Sequence, residues 1–370
     1  MFKISLLLAA LLLSGLASSG CIGLGNVPRG WSGGVITGDI LFIGSMEGKL
    51  VAANITDGSR LWAASLQGPE STGGGFGCAP ASTSVAIYGT PAVAENLGLV
   101  YVGGYNGKIY AFAFDRNEPR WVYPREGVID GSIVGRLIVV QDKVYFGSSN
   151  GKVYALDAAE GYTEWEFELG DKIWSTPTIW GDTLFIGSFD NKLYALNATD
   201  GSIKWEFETE GAITSTPLVD NNTVYIGSFD RYLYAVDAVN GDLEWKFKAD
   251  NWFWAEPIIY NGAVYAGNLD GKVYAIDAEN GAKLVEFDLG SPVSSSLARV
   301  GNLIIVATEE GVVYTLDTDD NQRRQLAKLE EKINASVTAN QGKIYIHTME
   351  GALYEIDAQS GAIRELNIKS

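Results

Sequence analysis

From residue 31 onward the chain is a succession of short segments in which apolar and polar side chains alternate, separated by breaks rich in Gly, Asp and Asn. A period of two marks half-buried β-strands, and the breaks have hairpin chemistry. One unit shows the scheme: IWSTPTI (173–179), TLFIGS (183–188), KLYALN (192–197) and IKWEFE (203–208), broken at GD, FDN and TDG. The spacing predicts four antiparallel strands in about 40 residues, with no helix intervening.

The unit recurs. ALDAAEGYTEW (155–165), ALNATDGSIKW (195–205) and AVDAVNGDLEW (235–245) share alanine first, Asp or Asn third, glycine seventh and tryptophan eleventh. Weaker copies are AANITDGSRLW (52–62), AFAFDRNEPRW (111–121), AIDAENGAKLV (275–285), TLDTDDNQRRQ (315–325) and EIDAQSGAIRE (355–365). The preceding turn residues Gly48, Gly107, Gly151, Asn191, Arg231, Gly271, Gly311 and Gly351 are spaced by 59, 44 and then five times 40 residues. Eight four-stranded repeats predict an all-β, eight-bladed β-propeller; a linear β-solenoid is second, because its coils are shorter than 40 residues and give no reason for one tryptophan per copy.

Within that fold the motif has physical work. The seventh-place glycine permits the positive φ of a tight turn, and the Asp or Asn side chain accepts from nearby backbone amides. Trp62, Trp121, Trp165, Trp205 and Trp245, on outermost strands, are expected to dock on the next blade, each burying a ring worth on the order of 2 kcal/mol or more. Copies six to eight carry Val285, Gln325 and Glu365 instead, so those blades must dock differently.

This eleven-residue pattern resembles the tryptophan-docking motif of the pyrroloquinoline quinone (PQQ) repeat superfamily over almost all of residues 31–368. That family includes quinoprotein alcohol and glucose dehydrogenases and non-enzymatic envelope proteins such as the outer-membrane assembly lipoprotein BamB. The resemblance implies the scaffold; activity must be argued from site residues. Quinoprotein dehydrogenases of this kind are longer, use a disulfide of adjacent cysteines and hold calcium. This chain has two cysteines, Cys21 and Cys78, far apart, and one histidine, His347, placed where other blades have a residue such as Gly267. We therefore expect no catalytic residues, no metal and no cofactor, with a small PQQ- or calcium-dependent enzyme using the central funnel as the alternative.

Composition narrows the partners. With 27 basic against 45 acidic residues, a net charge of -18, the surface is wrong for tracking phosphates, and no nucleic-acid partner is expected. Lys3, the apolar run LLLAALLL (6–13) and the small residues before Cys21 have the form of a secretory signal ending in SSGC, similar to a bacterial lipobox. The chain thus divides into a lipoprotein signal peptide (1–20), a lipidated linker (21–30) acylated at Cys21 and a propeller (31–370). Cys78, in the Gly-rich stretch 73–80, is read as an inert lone thiol.

Two sets of residues stand out as candidate sites. Aligned inner strands carry small residues at one hub position (Gly33, Thr90, Thr176, Thr216, Ser296, Ser336), except Arg136 and Glu256, an expected ion pair or ligand site in the funnel. The face shared by the interblade loops and second-to-third turns gathers Trp31, Tyr88, Trp174, Trp252 and Trp254, ringed by Glu47, Asp190, Asp230, Asp270, Glu310 and Glu350. We read it as a binding rim for extended or basic segments of envelope proteins, on a scaffold held by its lipid at the outer membrane if the host has one, otherwise at the outer face of the plasma membrane.

Overall fold

The computed structural model describes residues 30–66 and 85–368. Cys21, Cys78, the expected signal peptide and most of the linker lie outside them. The described residues form 32 strands and no helix, in eight four-stranded antiparallel sheets whose strands follow one another in chain order. This is the eight-bladed propeller.

The inner strand departs from expectation. In the fourth blade it is Thr178–Trp180, three residues that take only the last two of the segment read as 173–179 and run one beyond it. Pro177 has no N–H to donate, and the backbone before it serves the ring instead of the ladder: Ile173 N donates to Ser148 O of the third blade at 3.1 Å. Ser175 Oγ donates to Ser215 O of the fifth blade at 2.8 Å. Residues 173–177 therefore sew neighbouring blades together around the axis.

The outer joint is equally specific. Trp165 lies across from Ala155 on the adjoining strand, beside a β-bulge, and donates from Nε1 to Ala198 O of the next blade at 3.0 Å. Trp62, Trp121, Trp205 and Trp245 do the same to Phe114, Ala158, Ala238 and Ala278 at 2.8, 3.1, 3.2 and 3.0 Å. Tyr101, Tyr145 and Tyr225 send their hydroxyls to three of the same carbonyls. The indole rests on the turn glycine: a Cβ on Gly201 would stand 2.6 Å from Trp165 Cε3, and one on Gly241 2.8 Å from Trp205. That glycine is required twice, for its φ of 77° at Gly201 and for the ring above it. The third-place acid performs the expected capping, as where Asp237 accepts from Val239 N and Asn240 N.

Three joints lack the indole. In the sixth blade Val285 packs with Leu316 and Tyr314 of the seventh. In the seventh the bulge moves to Val313/Tyr314, leaving Gln325 exposed and burying Leu326 against Ile356 and Ala358 of the eighth.

The eighth meets the first without a shared ladder, since no sheet mixes strands of the two blades; side chains and a backbone bond from Asn367 N to Gly58 O at 3.2 Å join them. Arg364 stands opposite Glu355, where other blades set tryptophan opposite alanine, and its Nη2 donates to Ile55 O at 2.6 Å, the counterpart of Ala198 O. Nη1 donates to Thr56 O at 3.0 Å. Glu355 is buried between Arg364 and Lys343, with contacts of 2.7 and 2.8 Å. Burial works against its ionisation, but Lys343 and Arg364 outweigh that and hold the carboxyl below its usual range. Leu41, Ile43 and Val51 complete the seam against Tyr345, Leu353 and Leu366.

Trp205→Ala should cost about 3–5 kcal/mol in denaturant unfolding, through lost area and a cavity over Gly241. Arg364→Leu, in a partly solvated seam, should cost about 2 kcal/mol. A loss at Trp205 no larger than that of an exposed outer-strand substitution such as Leu243→Ala would refute the docking role.

Candidate functional site at the funnel mouth

The crossing segments converge on a central cavity of about 120 Å³. Thr90, Arg136, Thr176, Thr216, Glu256, Ser296 and Ser336 all line it, and Gly33 belongs to the same ring, since a Cβ there would stand 2.6 Å from Thr90 Oγ1. Small side chains follow from the crowding. The two long ones meet: Arg136 Nη2 lies 3.6 Å from Glu256 Oε2, with side chains 39% and 27% exposed. Burial in the funnel pushes the Glu256 carboxyl up, and Arg136 offsets this in part.

Aromatic rings surround the mouth in two clusters. Trp31 and Tyr88 meet edge to face at 4.6 Å, and Tyr88 reaches Tyr105 at 5.3 Å. On the other side Trp174 meets Phe189 edge to face at 4.7 Å, and Phe189 meets Phe229 at 6.2 Å. Phe229 stacks on Trp252 at 4.4 Å and on Trp254 at 5.4 Å. Trp31, Tyr88, Trp174 and Trp254 line the cavity itself. Phe189 and Phe229, which join the tryptophans into an arc over three blades, were missed by sequence reasoning. Their signal was the Phe in FDN and FDR, read there only as turn chemistry. These turns lie on the interblade loops because Phe189 N donates to Lys172 O at 3.1 Å and Phe229 N to Ala212 O at 3.0 Å.

The acids of this face are largely occupied locally. Asp190 accepts from Tyr194 Oη at 2.6 Å, Lys192 N and Gly170 N. Asp230 and Asp270 repeat the arrangement with Tyr234 and Tyr274. Glu47 pairs with Lys49 at 2.9 Å. They tie turn, third strand and entry loop together while leaving the face electronegative.

Two family models match the chain. One, described as "Beta-alanine-activating enzyme, beta-propeller", covers residues 144–370, more than half of the sequence. The chain belongs to that β-propeller family. The other, described as "Outer membrane protein assembly factor BamB", covers residues 27–167, so the PQQ-like propeller also resembles BamB. BamB of Kangiella koreensis is 32% identical over 140 residues, 38% of this chain and 32% of that protein. BamB of Yersinia pestis is 27% identical over 143 residues, 37% of this chain and 33% of its own. The chain thus spans about a third of the length of the curated relatives it matches. Among solved structures, BamB from Moraxella catarrhalis superposes with a TM-score of 0.72 at 20% identity, covering 88% of this chain and 93% of that one. The computationally designed Ika8 protein gives 0.73 at 15%, covering 89% and 96%. These two likenesses establish the fold.

The PQQ-like repeat raises the question of a quinone with calcium, and the donor set does not fit. Calcium takes six to eight oxygens with carboxylate charge. Among the described residues only one carboxylate, Glu256, lines the cavity, and it faces a guanidinium. No group of three or more His, Cys, Asp or Glu among the described residues is arranged to hold a metal.

His347 belongs to the propeller's seam. Other second strands end in residues such as Gly187, where a Cβ would collide with Ile213 of the next blade. At the seam the large residue is His347, and the inner-strand counterpart in the first blade is Gly30. His347 is 2% exposed, and its Nδ1 lies 3.3 Å from Ser32 O, an acceptor, so Nδ1 carries the proton. Nε2 is buried without a partner among the described residues, and burial pushes the imidazole down to about 4. It is a packed neutral ring.

Because the unfolded chain binds this proton near pH 6.5 and the folded one only near 4, stability should fall as pH drops through that window, by on the order of 3 kcal/mol. Carboxylates pushed up by burial, Glu256, Asp270 and Glu309, act in the opposite sense. The difference between wild type and His347→Gln cancels them. Denaturant unfolding from pH 7 to 4 should give a flatter profile for the variant, and parallel profiles would contradict a buried neutral imidazole.

Proposed function

We propose that this propeller is a non-catalytic scaffold of the bacterial cell envelope, anchored by lipid at Cys21, that binds extended segments of other envelope proteins across its funnel mouth. In a cell with an outer membrane the role would be BamB-like assistance to β-barrel protein assembly there; with a single membrane it would be an anchored binding module. The observation that carries the reading is the aromatic arc in which Phe229 stacks on both Trp252 and Trp254, with Trp174 and Phe189 continuing it. Partly buried rings already fixed by their neighbours offer apolar anchors at little further entropic cost. The acidic turns around them favour basic or neutral segments by steering. Relatives bearing the name of an assembly factor support the same reading.

Crosslinking in whole cells, followed by recovery of the protein, should yield envelope partners. Trp174→Ala and Trp254→Ala together should reduce that recovery about tenfold or more while moving unfolding stability less than Trp205→Ala does. Undiminished recovery, or stability lost as heavily as at Trp205, would remove the rim from the account. Cys21→Ser should move the protein from the membrane to the soluble fraction, and retention in the membrane would refute the lipid anchor.

A further inference from the structure

We propose that the hub beneath the mouth binds a small zwitterionic solute of the α-amino-acid class, its carboxylate on Arg136 and its ammonium on Glu256. This stands independently of the envelope role. At the hub position packing selects Gly, Ser or Thr, yet the third and sixth blades supply long side chains of opposite charge aimed at one another. Ion-pair geometry explains only part of their arrangement. At 3.6 Å the contact is beyond hydrogen-bond length, and among the described residues neither the guanidinium nor the carboxylate has a hydrogen bond. A guanidinium has five N–H donors and a carboxylate about four acceptor positions, so nearly all of this capacity is met by no protein group among the described residues.

A second, independent observation lies in the same wall. Thr214 lines the cavity at 8% exposure, and its Oγ1 is buried with no partner among the described residues. An orphaned hydroxyl is costly unless something polar meets it. Arg136 and Glu256 thus offer donor and acceptor to one small space, with the orphaned Thr214 hydroxyl in its wall.

Size and charge select the ligand. A cavity of about 150 Å³ holds benzene, so one of about 120 Å³ suits a solute of roughly six heavy atoms. A nucleotide or a tricyclic quinone would project well beyond it. A simple anion would satisfy Arg136 but be repelled by Glu256, and a simple cation the reverse. A zwitterion lying across the pair satisfies both and brings no net charge into the hub.

The test is isothermal titration of the purified protein with L-alanine, and separately with acetate and methylammonium. The expected result is saturable one-to-one binding of L-alanine, with each half-ligand weaker by about tenfold or more. Arg136→Gln and Glu256→Gln should each weaken L-alanine by a similar factor, and the exchanged protein, Arg136→Glu with Glu256→Arg, should recover binding in the reversed orientation. The exchange separates loss of the site from loss of the fold. No saturable binding of L-alanine, binding unchanged in both single variants, or acetate as tight as L-alanine would each overturn the proposal.

Discussion

The ring depends on one repeated contact: an indole N–H reaching a backbone carbonyl on the neighbouring blade, with its ring laid on a glycine of the same turn. The contact ties three levels together. Glycine is needed for the turn, the turn presents the carbonyl, and the carbonyl is where the preceding sheet must place its tryptophan. A bulge on the adjoining strand accompanies the indole at every one of these joints. Because every partner is fixed by backbone geometry, the joint recurs with little variation, and the second blade keeps it through Phe114 O even without the motif's acid and glycine.

This explains what sequence patterning could and could not reveal. Blade number, strand order and the docking tryptophans were legible because each is a periodic demand on residue type. The inner strands were drawn too long because alternation persists through residues 173–177, whereas the Ile173 amide and the Ser175 hydroxyl turn to neighbouring blades; only Pro177 hinted at this. The joints without tryptophan were legible as exceptions but not as solutions. Nothing in QRRQ announces that a bulge brings Leu326 inward, and nothing local links Arg364 to a carbonyl some three hundred residues earlier.

The candidate site divides in the same way. Hub positions could be aligned by register, which is how Arg136 and Glu256 stood out. The aromatic arc was only half visible, since Phe189 and Phe229 lie in turns whose Asp and Asn seemed explanation enough. The acids there had a structural role that a charge count could not separate from recognition: each Asp of the fourth, fifth and sixth blades is claimed by a tyrosine four residues on. The mouth consequently presents anchored rings in a field of charges that are themselves anchored.

The seam between the first and last blades has a consequence for how such a chain is made. Since neither end lends a strand to the other, every sheet can complete its own ladder as it leaves the ribosome and lean on its predecessor at once. Only a lateral meeting of finished surfaces is left once the eighth blade is made, and Arg364, on the outermost strand of that blade, is the latch that completes it.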